Sequence, residues 1–179
     1  MGLKKLNVGC GNDIREGWVN LDRADLTGVD IVHDIEKIPL PFRDEEFEEI
    51  LCQDVLEHIE YLPVLRELHR ILKTGGTLKI RVPHFTSRDN FSDPTHRNFF
   101  SICTFEFFVQ NARFGRSYYF DYGFERIYFI KIAFRKGVLF YNYVVEPIVN
   151  LCPKMMGLYE ATGLSRIFPA ENLIVELRK

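Results

Sequence analysis

The 179-residue chain lacks a C-x-x-C pair, an excess of positive charge and any long uninterrupted apolar run, and each absence removes a class of function. Its four cysteines, Cys10, Cys52, Cys103 and Cys152, are scattered, and no secretory signal precedes them. Such usage points to reduced thiols in a cytoplasmic protein rather than to a disulfide framework. With a formal net charge of -2 there is no basic field to hold a polyanion, so nucleic acid is not an expected partner. The most apolar stretch, Val138 to Tyr159, is interrupted by Glu146, Pro147, Asn150, Pro153 and Lys154. A membrane span needs about 18 apolar residues without such breaks, so none is expected.

Two further absences narrow a site near the N-terminus. Gly9-Cys10-Gly11 follows a short apolar strand, but Ile14 stands where a dinucleotide fingerprint would carry its third glycine. No Lys-Ser/Thr pair follows that would make a phosphate-binding loop. The two glycines let the backbone turn sharply and let a ligand lie against it. A second strand then ends in Asp22, placed to accept two ribose hydroxyls. The pattern predicts a nucleoside cofactor with a ribose and no pyrophosphate.

Residues 6 to 11, Leu-Asn-Val-Gly-Cys-Gly, resemble the opening of a small group of class I S-adenosylmethionine (SAM) methyltransferases. The likeness continues through Leu40-Pro41-Phe42, Asp54-Val55-Leu56-Glu57-His58-Ile59, the segment from Leu65 to Gly76, and Val82-Pro83-His84, covering roughly residues 3 to 100. In two respects the chain departs from the pattern. Asn7 replaces the acidic residue often found two positions before the glycine loop, and ten residues separate Gly11 from Asp22, against about 20 in the usual unit. The first crossover helix must therefore be very short or replaced by a loop.

Short apolar strands are predicted at Lys4 to Val8, Trp18 to Leu21, Val29 to Val32, Phe47 to Cys52 and Thr77 to Val82, with a helix from Tyr61 to Leu72 stopped by Gly75. Beyond His84 the chain is rich in Phe and Tyr, read chiefly as core; Phe124 to Phe134 alternates as a strand, and Asn172 to Leu177 reads as its antiparallel partner. Between them, Val144 to Ile167 is predicted as helical segments broken at Pro147 and Pro153. The expected fold is α/β, a Rossmann-like three-layer sandwich whose seven-stranded sheet is mostly parallel, with an antiparallel C-terminal hairpin. One domain, 1–179, is expected, comprising a cofactor-binding part (1–100) and an aromatic-rich closing part (101–179).

The resemblance implies that SAM is held by Gly9, Cys10, Gly11, Asp22, Asp34, Ile35 and Gln53. Asp22 would take the ribose diol, Asp34 and Ile35 the adenine, and Gln53 the region where the amino-acid portion meets the acceptor. Asp34 reads equally well as a helix N-cap. Catalytic candidates are His96, His58 and Asp93. His96 titrates near neutrality and could take a proton from the acceptor; the alternative is an exposed histidine in a turn capped by Asp93. His58 is a general base or a wall of the acceptor pocket. Asp54-x-x-Glu57-His58 resembles the Glu-x-x-Glu-His cluster with which some quinone-ring and RNA-terminal O-methyltransferases bind a divalent metal, completed by His84 or His96. Leu-Glu-His-Ile occurs widely in this family without one, and no metal is assigned. Tyr118, Tyr119 and Tyr122 are candidates to line the acceptor pocket. The implied activity is methyl transfer to the oxygen of a small molecule or glycan building block. The alternatives are a non-catalytic SAM-binding or scaffold member of the same fold and, less favoured, a nicotinamide oxidoreductase.

Overall fold

The computed structural model describes residues 4–115 and 119–179. Strands β1 (Lys5–Val8), β2 (Val19–Asp22), β3 (Ile31–Val32), β4 (Phe47–Gln53) and β5 (Leu72–Pro83) pair in parallel. Strands β6 (Arg126–Ala133) and β7 (Asn172–Arg178) pair antiparallel, with β7 also antiparallel to β5. The sheet order is β3-β2-β1-β4-β5-β7-β6, which reverses direction between β1 and β4. In a doubly wound sheet ligands bind at that reversal, outside the carboxyl ends of the strands. The expected sheet and its C-terminal antiparallel pair are therefore present.

Only one of the parallel crossovers contains a regular helix, α1 (Tyr61–Ile71), which buries Val64, Leu65, Leu68 and Ile71 against the sheet; a single turn, α2 (Asp89–Ser92), follows β5. The first crossover is a loop, as its length requires, and Asn7 explains how the loop is held. Its side-chain amide donates to the Asp13 carbonyl at 2.7 Å and to Asn20 Oδ1 at 3.2 Å. Asn20 in turn donates to the carbonyls of Arg15 (3.1 Å) and Trp18 (3.3 Å) and accepts from the Arg15 N–H (3.0 Å). Both asparagines are buried, and the polar groups that a helix would pair internally are paired with them instead. An acidic residue at position 7 could only accept, so the amide fits here where a carboxylate would not.

Two local expectations need correction. Gly75 does not stop α1 but lies inside β5, which starts at Leu72 directly after the helix; its φ of +76° accommodates the irregular pairing there. Pro147 does not break the following helix. It lies within α3 (Asn142–Val149), and the interruption falls at 150–152, before α4 (Pro153–Ala161) and α5 (Leu164–Ile167). The aromatic belt, expected chiefly as core, is divided: Phe100, Phe105, Phe108, Phe124 and Phe134 are buried, whereas Phe99, Tyr119, Tyr128, Phe129, Phe140 and Tyr143 are exposed. No helix among the described residues is long and apolar enough to cross a membrane.

Candidate functional site

At the sheet reversal a cavity of about 390 Å³ is lined by Gly9, Leu21–Arg23, His33–Glu36, Asp54, Val55, His58, Ile59, Thr95 and Arg97. Gly9 has φ +63°, and a Cβ there would stand 2.3 Å from Val55 Cγ2. Glycine is thus required for both the turn and the approach of Val55. The Asp22 carboxylate at the end of β2 accepts the Gly11 N–H on Oδ2 (2.8 Å) and the Ala24 N–H on Oδ1 (2.9 Å), leaving each oxygen a second acceptor position. Asp34 caps its own turn through the Glu36 N–H (3.1 Å), so the capping role and a place at the cavity coexist; Ile35 forms a buried apolar wall beside it.

Of the seven residues expected to hold cofactor, Gly9, Asp22, Asp34 and Ile35 line this cavity. Cys10, Gly11 and Gln53 do not. Cys10 is buried, which pushes its thiol pKa up, and its N–H donates to the Leu21 carbonyl at 3.1 Å. Gly11 acts through its N–H on Asp22, and Gln53 accepts a 3.5 Å contact from Arg15.

A second, more polar cavity of about 720 Å³ lies next to the first and is lined by Asp54, Glu57, His58, Arg81, Pro83, Asp89, Ser92–His96 without Thr95, Glu171 and Asn172. Asp54 and His58 border both cavities. Asp54, at φ +54°, is paired with Arg81 through Nε at 3.0 Å and through a second guanidinium nitrogen. The loop carrying His96 is fastened over the end of β4: Asn98 donates to the carbonyls of Leu56 and Ile59, both at 2.8 Å, and the Arg97 N–H to that of Glu57 at 2.8 Å.

That fastening brings the three catalytic candidates together. Asp93 Oδ1 accepts the Thr95 N–H (2.8 Å) and hydroxyl (2.6 Å), and Thr95 Oγ1 lies 2.8 Å from His58 Nδ1. The threonine hydroxyl has one proton, given to the carboxylate, so His58 Nδ1–H donates to Oγ1 and the neutral ring keeps its lone pair on Nε2. Burial, followed by the neighbouring His96, lowers the His58 pKa from its ordinary value. The His96 ring meets that of His58 edge to face at 4.6 Å, and its side chain is 7% exposed, so it is not the solvent-facing turn histidine of the alternative reading. Its Nδ1 is buried without a hydrogen-bond partner, as is Glu57 Oε2. Burial, reinforced by Asp54, raises the Glu57 pKa to about 7.

Glu57, His58 and His96 offer three ligand atoms within 4.8 Å of one another, a donor set able to hold a divalent cation. The motif's first acidic residue, Asp54, is instead engaged by Arg81, and His84 is turned away onto Thr86 (2.7 Å) and Glu160 (3.1 Å). Tyr119 and Tyr122 also lie elsewhere, beside Leu62, Pro63 and Arg66 of α1 in a cavity that shares no residue with the two described here. Tyr118 is outside the described residues. Reading along the chain missed Arg81, Asp89, Glu171 and Asn172, which reach the second cavity from three distant segments and carry no local motif.

Residues 9–80 match the family profile described as a methyltransferase domain. The chain shares its fold with SAM-dependent methyltransferases of known structure. A SAM-dependent methyltransferase of Archaeoglobus fulgidus superimposes with a TM-score of 0.63 at 16% identity, covering 99% of this chain and 86% of that one. Among curated relatives, an uncharacterised protein of Methanocaldococcus jannaschii is 51% identical over 43 residues, 24% of this chain and 19% of its own. The ubiquinone biosynthesis O-methyltransferase of Pseudomonas syringae is 30% identical over 97 residues, 42% of each chain. The chain thus matches less than half the length of those curated relatives.

S-adenosylmethionine is the cofactor named for the solved structures that share this fold, and the first cavity of this chain has the lining to suit such a molecule. Carboxylates of Asp22, Asp34, Glu36 and Asp54 surround a space that would repel a diphosphate, while a nucleoside bearing a sulfonium cation finds acceptors for its hydroxyls and a favourable field. Gly11 has nothing within 4 Å of its Cβ position, so the backbone beside Asp22 is open to a ligand.

Proposed function

We propose that the protein is a SAM-dependent methyltransferase acting on the oxygen of a small-molecule or glycan-type acceptor. The observation that carries this reading is the meeting of the two cavities at Asp54 and His58: one is fitted to a nucleoside, the other is polar and large enough for a hydroxylated acceptor. Bound SAM would supply an electrophilic methyl group on a sulfonium. Asp22 would hold the ribose diol, and Asp34 with Ile35 the adenine. His58 would receive the acceptor proton on Nε2, because Asp93 and Thr95 hold it in the tautomer that leaves this nitrogen unprotonated. His96, packed against that ring, would steady it and share the charge. The O-methyltransferase relative supports oxygen as the acceptor atom.

The test is transfer of labelled methyl from SAM into a small-molecule and glycan extract, followed by acceptor identification. The reading expects incorporation that His58→Ala reduces ~100-fold or more, the usual contribution of a positioned acid–base group, with a smaller loss in His96→Ala, while S-adenosylhomocysteine binding is retained. Cofactor binding with no incorporation into any fraction would favour the scaffold alternative.

A further inference from the structure

Helix α3 is inverted relative to an ordinary surface helix. It turns Asn142 and Glu146 inward and presents Tyr143, Val144 and Ile148 to the outside. The cause is the free edge of the sheet: β6 is the last strand, and the backbone at its C-terminal end, from Ile132 to Arg135, is paired with polar side chains of this helix and its C-cap. Asn150 accepts the Ile132 N–H at 2.8 Å and donates to the Ile132 carbonyl at 2.7 Å, and Glu146 accepts the Phe134 N–H at 3.0 Å. Asn142 donates to the Arg135 carbonyl at 2.6 Å. Covering this end of the edge lessens a hazard for strand pairing there but leaves an apolar stripe outside. Phe140, Val144, Ile148 and Leu151 follow helical spacing along one side, with Val138 next to them; Val138 is 91%, Leu151 77% and Phe140 75% exposed. Scattered apolar side chains are normal on a surface, whereas a continuous stripe implies something that covers it.

The charge around the stripe identifies what that is. Residues 125–171 contain six Lys and Arg against four Glu, of which Glu125 and Glu171 at the two ends pair with Arg126 and Arg135, in a chain whose net charge is -2. The two glutamates between those ends are turned inward: Glu146 onto Lys131 and Lys136, and Glu160 onto His84 and the Ile102 N–H. Lys154 and Arg166 have no ion pair among the described residues. We propose that this face docks on the surface of an anionic lipid bilayer. An apolar wedge followed by the unpaired cations Lys154 and Arg166, with Glu146 and Glu160 turned inward, matches a negatively charged leaflet, whereas a second copy would bring two positive faces together. Arg135 joins the face to the second cavity, reaching Glu171 at 2.7 Å and Asp89 at 3.6 Å, so docking would set that cavity near the headgroups. The docking itself does not depend on the methyl-transfer reading.

Co-sedimentation of the full chain with phosphatidylcholine vesicles, with and without phosphatidylglycerol, tests this. Binding is expected with phosphatidylglycerol, weakened by salt, and at least about tenfold weaker in the double variant Val144→Asp, Leu151→Asp. S-adenosylhomocysteine binding checks that this variant is folded. As a second measurement that needs no disruptive change, Phe140→Trp should show a blue-shifted emission when those vesicles are added. Absence of both sedimentation and blue shift overturns the proposal. So does light scattering that shows a dimer which the double variant dissociates, since a second copy would then cover the stripe.

Discussion

Replacing Gly9 with alanine probes the turn on which the cofactor cavity is built. The residue sits at φ +63°, a left-handed conformation that costs a residue with a Cβ roughly 1–2 kcal/mol. The added methyl would also stand 2.3 Å from Val55 Cγ2, an overlap relieved only by displacing a cavity wall, and overpacking of this kind costs about 1–3 kcal/mol. The total of about 2–5 kcal/mol is a large part of a domain's ordinary stability of about 5–15 kcal/mol. Gly11→Ala is the internal comparison: φ is +48° and nothing lies within 4 Å, so the backbone cost of about 1–2 kcal/mol stands alone. The decisive protein is Gly9→Ala, Val55→Ala, which removes the overlapping methyl and leaves Val55 Cβ at an ordinary 3.5 Å. Urea unfolding of the four proteins in the Gly9/Val55 cycle should give a favourable coupling of about 1 kcal/mol or more. Additive effects would mean that Val55 does not lie against Gly9, and the description of the cavity wall would be wrong.

Asp22→Ala should weaken S-adenosylhomocysteine binding about 10- to 150-fold by calorimetry, since it removes a charge-assisted hydrogen bond of roughly 1.5–3 kcal/mol; unchanged affinity would place the ribose elsewhere. Titrating manganese or zinc into wild type and Glu57→Gln separates two uses of the Glu57–His58–His96 cluster. Proton handling predicts the same thermal response in both proteins, whereas stabilisation confined to wild type would assign the cluster to a cation. His69, hydrogen-bonded to the Gly123 carbonyl at 3.2 Å, has its pKa lowered from 6.5 to about 4, first by burial and then by Lys179. Because the unfolded chain takes up that proton more readily, stability should fall as pH drops from about 6.5 to about 4, and His69→Gln should flatten that slope in urea titrations. An identical slope in the variant would show that other groups set it.

The cofactor side was legible in the sequence wherever a backbone requirement and a charge coincide in one short motif. Gly9 and Asp22 are of that kind, since a turn at a strand end and a carboxylate at the next strand end both follow from local spacing. His96 stood out as a candidate because Asp93-Pro94-Thr95 makes a turn legible in local chemistry, but its burial against His58 depends on Asn98 reaching Leu56 and Ile59. Asn7 looked like a defect in the motif. Its purpose emerged only with Asp13 and Asn20 beside it, because a buried amide network is a property of three segments at once. Tyr119 and Tyr122 were misjudged for the related reason that aromatic composition marks apolar surface without saying which surface it covers. Pro147 was read as a break although a short helix accommodates it, and Glu171 and Asn172, at the start of β7, could not be connected to the site before the sheet order was known.

The central claim is that the cavity between Gly9 and Asp34 takes a nucleoside carrying a sulfur centre and not a dinucleotide. Calorimetric titration of the full chain with S-adenosylhomocysteine and with NAD tests it directly. The account predicts one-to-one binding of S-adenosylhomocysteine that Asp22→Ala weakens, with no measurable heat from NAD. Tighter binding of NAD than of S-adenosylhomocysteine would contradict it.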